Sequence, residues 1–382
     1  MRAPREVPRV GPLSRPEFEQ RYLAPGLPVV VDGGAAAWPA WTADRLREML
    51  AGRTVKVASS EQDVFGYDEA AAAYDVEELD FAQAADLITR ARPSKRRYYL
   101  MQQSIPREFP DLAGQLSPPE FAGGARAHPH LWFGTEGNLT PLHYDMANNL
   151  FAQLQGRKRF TLFAPGESER LYPRPASSKH HNLSQVDAER PDEGRHPLLA
   201  EAQPWACQVG PGDLLFLPAF WWHQVRSLEM GVSVSTWWAP RPEQFLTPMA
   251  RRMAPVLYER DRLLTFKAMV AEPGEFQGFL GMARFMESHG EPAMALLFAG
   301  AALEESLRLL YLRRVKPSDT AAPRDGRRMT DALEAAGALG AGEAADLRRW
   351  LDAVATAVRG QAASDAGAAV AGIAAFTAAR AR

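Results

Sequence analysis

A mainly β core with flanking helices, followed by an all-helical C-terminal region, is the fold class predicted by this 382-residue sequence. Three observations point to it. Between about residues 126 and 240, short apolar runs are separated by Gly, Pro and Asp turn signals at close intervals, the spacing of a sandwich or barrel. After 240 the strand signal all but vanishes and apolar residues recur at helical spacing. Before 126, helix starts and strands are mixed. The length suits two domains, or one large domain with an appendage, and the composition shift divides them as 1–245 and 246–382.

In the first zone, Ser14 with Glu17 three residues on reads as a helix-starting capping box. Pro28–Asp32 is a short buried strand ended by Gly33 and Gly34. Thr42 is the N-cap of a helix running to Leu50. Thr54–Ser59 alternates as a strand, Phe81–Arg90 is helical, and Arg97–Gln103 is a strand.

In the second zone, Leu131–Thr135 is a strand, and Asn149–Gln155 and Arg159–Phe163 flank Gly156 as a hairpin. Trp205–Val209, Asp213–Leu217, His223–Ser227 and Val232–Trp238 complete the set. A double-sheet jelly roll, or double-stranded β-helix, accommodates such a series. The insert Arg174–Gln203 is polar and carries prolines; inserts of that length often act as lids. In the third zone, Pro255–Val270, Phe276–Ser288 and Ala293–Arg314 are helical, 316–328 is a linker, and Ala-rich helices follow, including Gly342–Val358 and Asp365–Ala379. The last has an apolar face without aromatic bulk and suits packing or homodimer formation.

Composition narrows the function classes. A net charge of −2 creates no global field toward nucleic acid or anionic lipid, so neither is an expected partner. The basic run Arg90, Arg92, Lys95, Arg96 and Arg97 reads as a solvated loop before a strand. Cys207 is the single cysteine, which forbids an intramolecular disulfide and suits a reducing, cytoplasmic setting. No signal core and no membrane-length apolar run is present.

The chemistry resides in His143, Asp145 and His223. Two imidazoles and one carboxylate form the facial triad of non-haem Fe(II) sites. On a strand, residues i and i+2 share a face, so His143 and Asp145 reach one ion while Tyr144 points away. His-X-Asp alone is a weak signal. Here it follows a Pro turn inside the β zone, and His223 closes a strand behind a Gly-Asp turn and two tryptophans. Zinc is the rival occupant. His128 and His130 share the i, i+2 spacing but lack an acidic partner. They and the His180–His181 pair are expected to be solvent-exposed.

At this point the sequence resembles the JmjC/cupin-like 2-oxoglutarate and Fe(II)-dependent oxygenases, most of all the asparaginyl hydroxylase that inhibits hypoxia-inducible factor. The resemblance is carried by Pro28–Val31 with Trp38–Ala40, Tyr99–Gln103, Glu136–Asp145, Asn149–Arg159, Leu171–Pro175, Ser184–Asp187 and Gly210–His223. These span about residues 15–240 in order. The resemblance implies a double-stranded β-helix, Fe(II) held by His143, Asp145 and His223, and O2 and 2-oxoglutarate as co-substrates. It implies that Lys158 pairs with the far carboxylate of 2-oxoglutarate, as a metal-bound dicarboxylate needs a cation at its other end. Thr140 and Tyr99 match hydroxyl groups bonded to that carboxylate, and Asn149 matches a polar residue near the metal-bound end. On the last barrel strand, where such enzymes often carry Asn, Thr236 takes the place, or Trp237 if the alignment shifts by one. Asn182 and Leu183 depart from the substrate-gripping polar pair of the asparaginyl hydroxylase, so the same substrate is not implied.

The implied activity is hydroxylation of a C–H bond in a protein or peptide side chain, with release of succinate and CO2. Hydroxylation or desaturation of a small metabolite, N-methyl removal, and a non-catalytic metal-binding scaffold are the alternatives.

Overall fold

The computed structural model describes residues 1–36, 38–66, 74–90, 96–116, 128–175, 178, 180–238, 240–247, 250–252, 278–315, 325–359, 361 and 363–380, with His128 described by its backbone alone. The chain forms two compact units, Met1–Pro240 and Arg241–Arg382. The expected helix Pro255–Val270, and Arg92 and Lys95 of the basic run, lie outside the described residues.

The first unit is built on strands β1 (Arg5–Glu6), β2 (Arg9–Val10), β3 (Val29–Val31), β4 (Thr54–Ser60), β5 (Asp75–Asp80), β6 (Arg97–Ser104) and β7 (His128–Gly134). It continues with β8 (Leu139–Tyr144), β9 (Asn148–Gln155), β10 (Lys158–Phe163), β11 (Trp205–Val209), β12 (Leu214–Leu217), β13 (Trp222–Ser227) and β14 (Gly231–Trp238). One sheet has the order β1-β11-β10-β13-β8, the other β2-β3-β12-β9-β14-β7-β6-β4-β5. From β7 to β14 the chain repeatedly changes sheet, the pattern of a jelly roll.

The expected hairpin around Gly156 is not one. β9 pairs with β12 and β14, whereas β10 pairs with β11 and β13 in the opposite sheet. Gly156 is a corner between sheets: its φ is +71°, and a Cβ there would run into the Met230 carbonyl. The same Gly signal serves a tight turn and a crossing, so local sequence does not separate them.

Apolar side chains fill two layers. Between the sheets lie Phe151, Phe160, Leu162, Leu215 and Trp221. Behind the larger sheet, the N-terminal helices bury Phe18, Trp41 and Phe81 against Phe133, Phe216 and Trp238. The capping box at Ser14 and Glu17, the Thr42 cap and the helix Phe81–Arg90 all form as expected.

The insert Arg174–Gln203 is held at both ends of its path. Leu183 bridges to His143, and Pro173 to Ser184, so this segment covers the free edge of β8. Further on, Glu189 accepts from Arg226 and Arg159, and Asp187 from Gln224 and Arg190, while Arg226 also reaches Asp63 at 2.9 Å. Half of the insert is therefore bolted to the outer face of the smaller sheet.

In the second unit, the helix Pro292–Arg314 is continuously buried from Met294 to Glu304. The helices Gly278–Ser288, Gly326–Ala335, Ala341–Val358 and Ala366–Arg380 pack around it. The helix at Gly326 begins inside the expected linker, because Asp325 accepts from Arg327 N at 2.9 Å and caps it. Among the described residues no helix is long and apolar enough to cross a membrane.

Burial pushes the Glu189 and Asp187 carboxyls up, but their hydrogen-bond and charge partners outweigh it and hold both below the ordinary carboxylate value. Depressed carboxylates stabilise fully above the unfolded-state pKa, about 4, and lose that contribution as pH falls through their native values. Glu189→Gln is therefore expected to lower the melting temperature at pH 7 and to make the acid-side loss of stability shallower, as thermal melts between pH 7 and 3 would record.

Candidate metal centre

β8 and β13 lie side by side, with His143 opposite His223. Between that pair and the Thr140–Val225 pair the register shifts, so Pro141 and Leu142 oppose the single residue Gln224. A bulge tolerates a proline, which has no N–H to give the ladder, and it re-aims the side chains that follow. The imidazole centroids stand 4.1 Å apart with their planes at 50°. Asp145 follows the end of β8, and Tyr144 between them points away, buried edge-on against Trp222 at 4.8 Å.

One ligand atom from each of His143, Asp145 and His223 can be chosen so that all lie within 4.8 Å of one another, and His223 Nε2 is 3.8 Å from Asp145 Oδ2. The imidazole tautomers are set by the backbone. His143 Nδ1 lies 2.8 Å from the Pro141 carbonyl and His223 Nδ1 3.0 Å from the Trp221 carbonyl. A ring nitrogen facing a carbonyl donates, so Nδ1 carries the proton and Nε2 is left with a free lone pair. Burial, reinforced by neighbouring His143, lowers the pKa of His223 despite the opposing charge of Asp145. That ring is kept neutral, the state a metal ligand needs.

A cavity of about 450 Å³ runs from these ligands to Lys158. Lys158 is buried, and its Nζ donates to Ser233 Oγ at 3.1 Å and Tyr99 Oη at 3.3 Å. It lies 5.1 Å from the Phe151 ring centroid and 5.5 Å from that of Tyr99. Among the described residues no carboxylate pairs with it. Burial pulls its pKa down to about 7. Burial raises the Tyr99 phenol far above its ordinary value, opposed by a hydrogen bond with Thr140. Tyr99 occupies space that only Gly134 leaves open: a Cβ there would lie 2.5 Å from the Tyr99 ring and 2.6 Å from Asn138 Nδ2.

The structure thus brings His143, Asp145, His223, Lys158, Thr140, Tyr99 and Asn149 to one cavity. Asn149 Oδ1 is buried without a hydrogen-bond partner. Thr236 is not brought there: it lies on the other face of β14, with Val232, Val234 and Trp238, whereas Ser233 bonds Lys158 and Ser235 and Trp237 line the cavity. The alternation Ser233, Ser235, Trp237 carried this signal at period two, and an alignment offset of one residue hid it. His180, expected in solvent, is half-buried and lines the cavity with Asn182. His181 lies 3.4 Å from the Tyr144 hydroxyl, and half-buried His130 stands edge-on to Trp237 at 4.8 Å. The insert is polar overall, so its composition does not distinguish the part that forms the cavity wall.

The donor set suits a ferrous ion, and a buried cation with no carboxylate partner among the described residues suits a diacid. A family model described as a cupin-like domain matches residues 15–244. The chain belongs to the cupin-like domain family. Its relatives include a lysine-specific demethylase 8 of Xenopus tropicalis, 32% identical over 61% of this chain and 53% of that protein. A Jumonji C domain-containing protein 5 of Drosophila melanogaster is 28% identical over 61% of this chain and 60% of its own. A human tRNA wybutosine-synthesizing protein 5 is 29% identical over 62% of this chain and 79% of its own. The chain therefore spans less than two thirds of the first two relatives. The wider JmjC/cupin-like kinship read from the motifs is borne out; the narrower likeness to the asparaginyl hydroxylase stays an expectation.

A lysine whose pKa is depressed in the folded state carries the full penalty of its buried ammonium below about pH 7, relieved as pH rises toward its unfolded value near 10.4. Lys158→Met is expected to raise the melting temperature of the ligand-free protein at pH 6 by a few degrees, with the gain shrinking toward pH 10. Calorimetric melts across that range check it.

Proposed function

We propose that this cupin-like protein is a 2-oxoglutarate- and Fe(II)-dependent oxygenase that hydroxylates a C–H bond of a protein or peptide side chain, releasing succinate and CO2. The observation that carries the reading is a buried lysine with no anionic partner among the described residues, set in the same cavity as two imidazoles and a carboxylate. When bound, iron with 2-oxoglutarate and O2 supplies the oxidation itself.

The chain's residues do the rest. His143, Asp145 and His223 hold the ion, and the Pro141 and Trp221 carbonyls lock both rings with Nε2 free. Lys158, with Tyr99 and Thr140, receives the far carboxylate of 2-oxoglutarate, and Asn149 lines the cavity nearer the metal-bound end. Phe151, Phe160, Leu217 and Val225 wall off the inner end from water. No side chain is assigned as general acid or base.

The relatives named as demethylases favour a protein substrate. The relative named for tRNA modification makes an RNA substrate the competing outcome, and a small metabolite is the third. We also propose a homodimer through the C-terminal helices in a cytoplasmic setting; a monomeric mass by light scattering removes the dimer.

Purified protein supplied with Fe(II), 2-oxoglutarate and O2 should form succinate, and co-expression should leave cellular peptides, not RNA nucleosides, heavier by one oxygen atom. His143→Ala is expected to abolish iron binding. Lys158→Ala should retain iron but weaken 2-oxoglutarate at least ~30-fold by calorimetry. In the parent protein, free Lys158 loses its proton above about pH 7 and must regain it to pair with a carboxylate. Affinity for 2-oxoglutarate should therefore fall as pH rises past 7, and binding should take up a proton. Unchanged affinity in Lys158→Ala sinks the co-substrate assignment.

A further inference from the structure

We propose that Trp237 is a positioning residue for the metal centre: its indole N–H fixes the Asp145 carboxylate so that it offers the ion a single oxygen. The inference rests on the metal-centre reading above and extends it to a residue outside the ligand set.

Trp237 Nε1 donates to Asp145 Oδ2 at 3.2 Å. Among the described residues, no other side chain donates to that carboxylate. The indole is itself fixed. It stands edge-on to His130 at 4.8 Å and 68° and to Trp132 at 6.1 Å and 64°. Its backbone is paired with Asn149 on one side and His128 on the other. A donor held from two directions cannot follow the carboxylate if it turns, so turning breaks the bond.

Freedom to turn matters because Asp145 stands just past the end of β8 and its side chain is 30% exposed. Both imidazoles are anchored through Nδ1 to backbone carbonyls. Among the described residues the carboxylate has no backbone anchor, and the indole side chain takes that role. Without it, rotation about the Cβ–Cγ bond would bring both oxygens toward the ion. Chelation by both would fill a coordination position that a three-ligand site keeps open. Trp132 offers an internal comparison: it is an indole in the same cavity wall, and its Nε1 is buried with no partner.

Co(II) titration of the full-length chain, followed by d–d absorption, tests this without turnover. The parent protein should bind one equivalent. Trp237→Phe keeps the aromatic bulk and loses the N–H; it should raise Kd about tenfold or more and alter the d–d bands toward higher coordination. Trp350→Phe, which alters an indole of the second unit that does not line the cavity, should change neither. If Trp237→Phe does not fold, 3-benzothienylalanine at 237, which carries sulfur where the N–H stands, should give the same two shifts. Parent-like affinity and bands in the variant lacking the N–H overturn the proposal, as does an equal effect of Trp350→Phe. Failure of the parent protein to bind Co(II) overturns the metal-centre reading itself, a separable result.

Discussion

The pairing of β8 with β13 places His143 across from His223, and the rest of the site follows from that register. Side chains alternate along a strand, so a slip of one residue in either partner would turn one imidazole to the opposite face. The bulge at Pro141 and Leu142 lets the register satisfy two needs. Thr140 keeps its place toward Tyr99, and the Pro141 carbonyl is freed to receive the His143 ring. The insert then seals the outer edge of β8 through Leu183, so the strand that bears His143 and leads into Asp145 is not left as an open edge.

Lys158 balances this arrangement at the other end of the cavity. An ammonium in an apolar interior is tolerated only with compensation, and here that comes from two hydroxyls and two aromatic rings. The compensation is incomplete, as its lowered pKa shows. The protein thus holds a buried cation whose cost the fold does not fully offset, a pattern of strain retained at functional positions.

Much of this was legible in the residues alone. Helix caps are local chemistry, so Ser14, Thr42 and the helix Phe81–Arg90 fall where they were expected. The triad was legible because strand alternation needs only two residues of context. Partnership between strands was not. Gly156 looks the same whether it closes a hairpin or crosses between sheets, and only the long-range pairing of β9 with β14 decides it. For the same reason Trp237 was interchangeable with Thr236: both lie in one unbroken strand run, and which faces the cavity depends on the neighbour in space. His180 and Asn182 were obscured by a polar stretch whose first part lines the cavity and whose second part is clamped by Arg226.

Gly134 shows how narrow the margins are. Its missing methyl group is the gap into which the Tyr99 ring fits. Any other amino acid there would compete with the phenol for one volume, and the hydroxyl touching Lys158 would have to yield. The depth of the cavity at its lysine end is thereby gauged by a hydrogen atom on a neighbouring strand, invisible in any inventory of reactive groups.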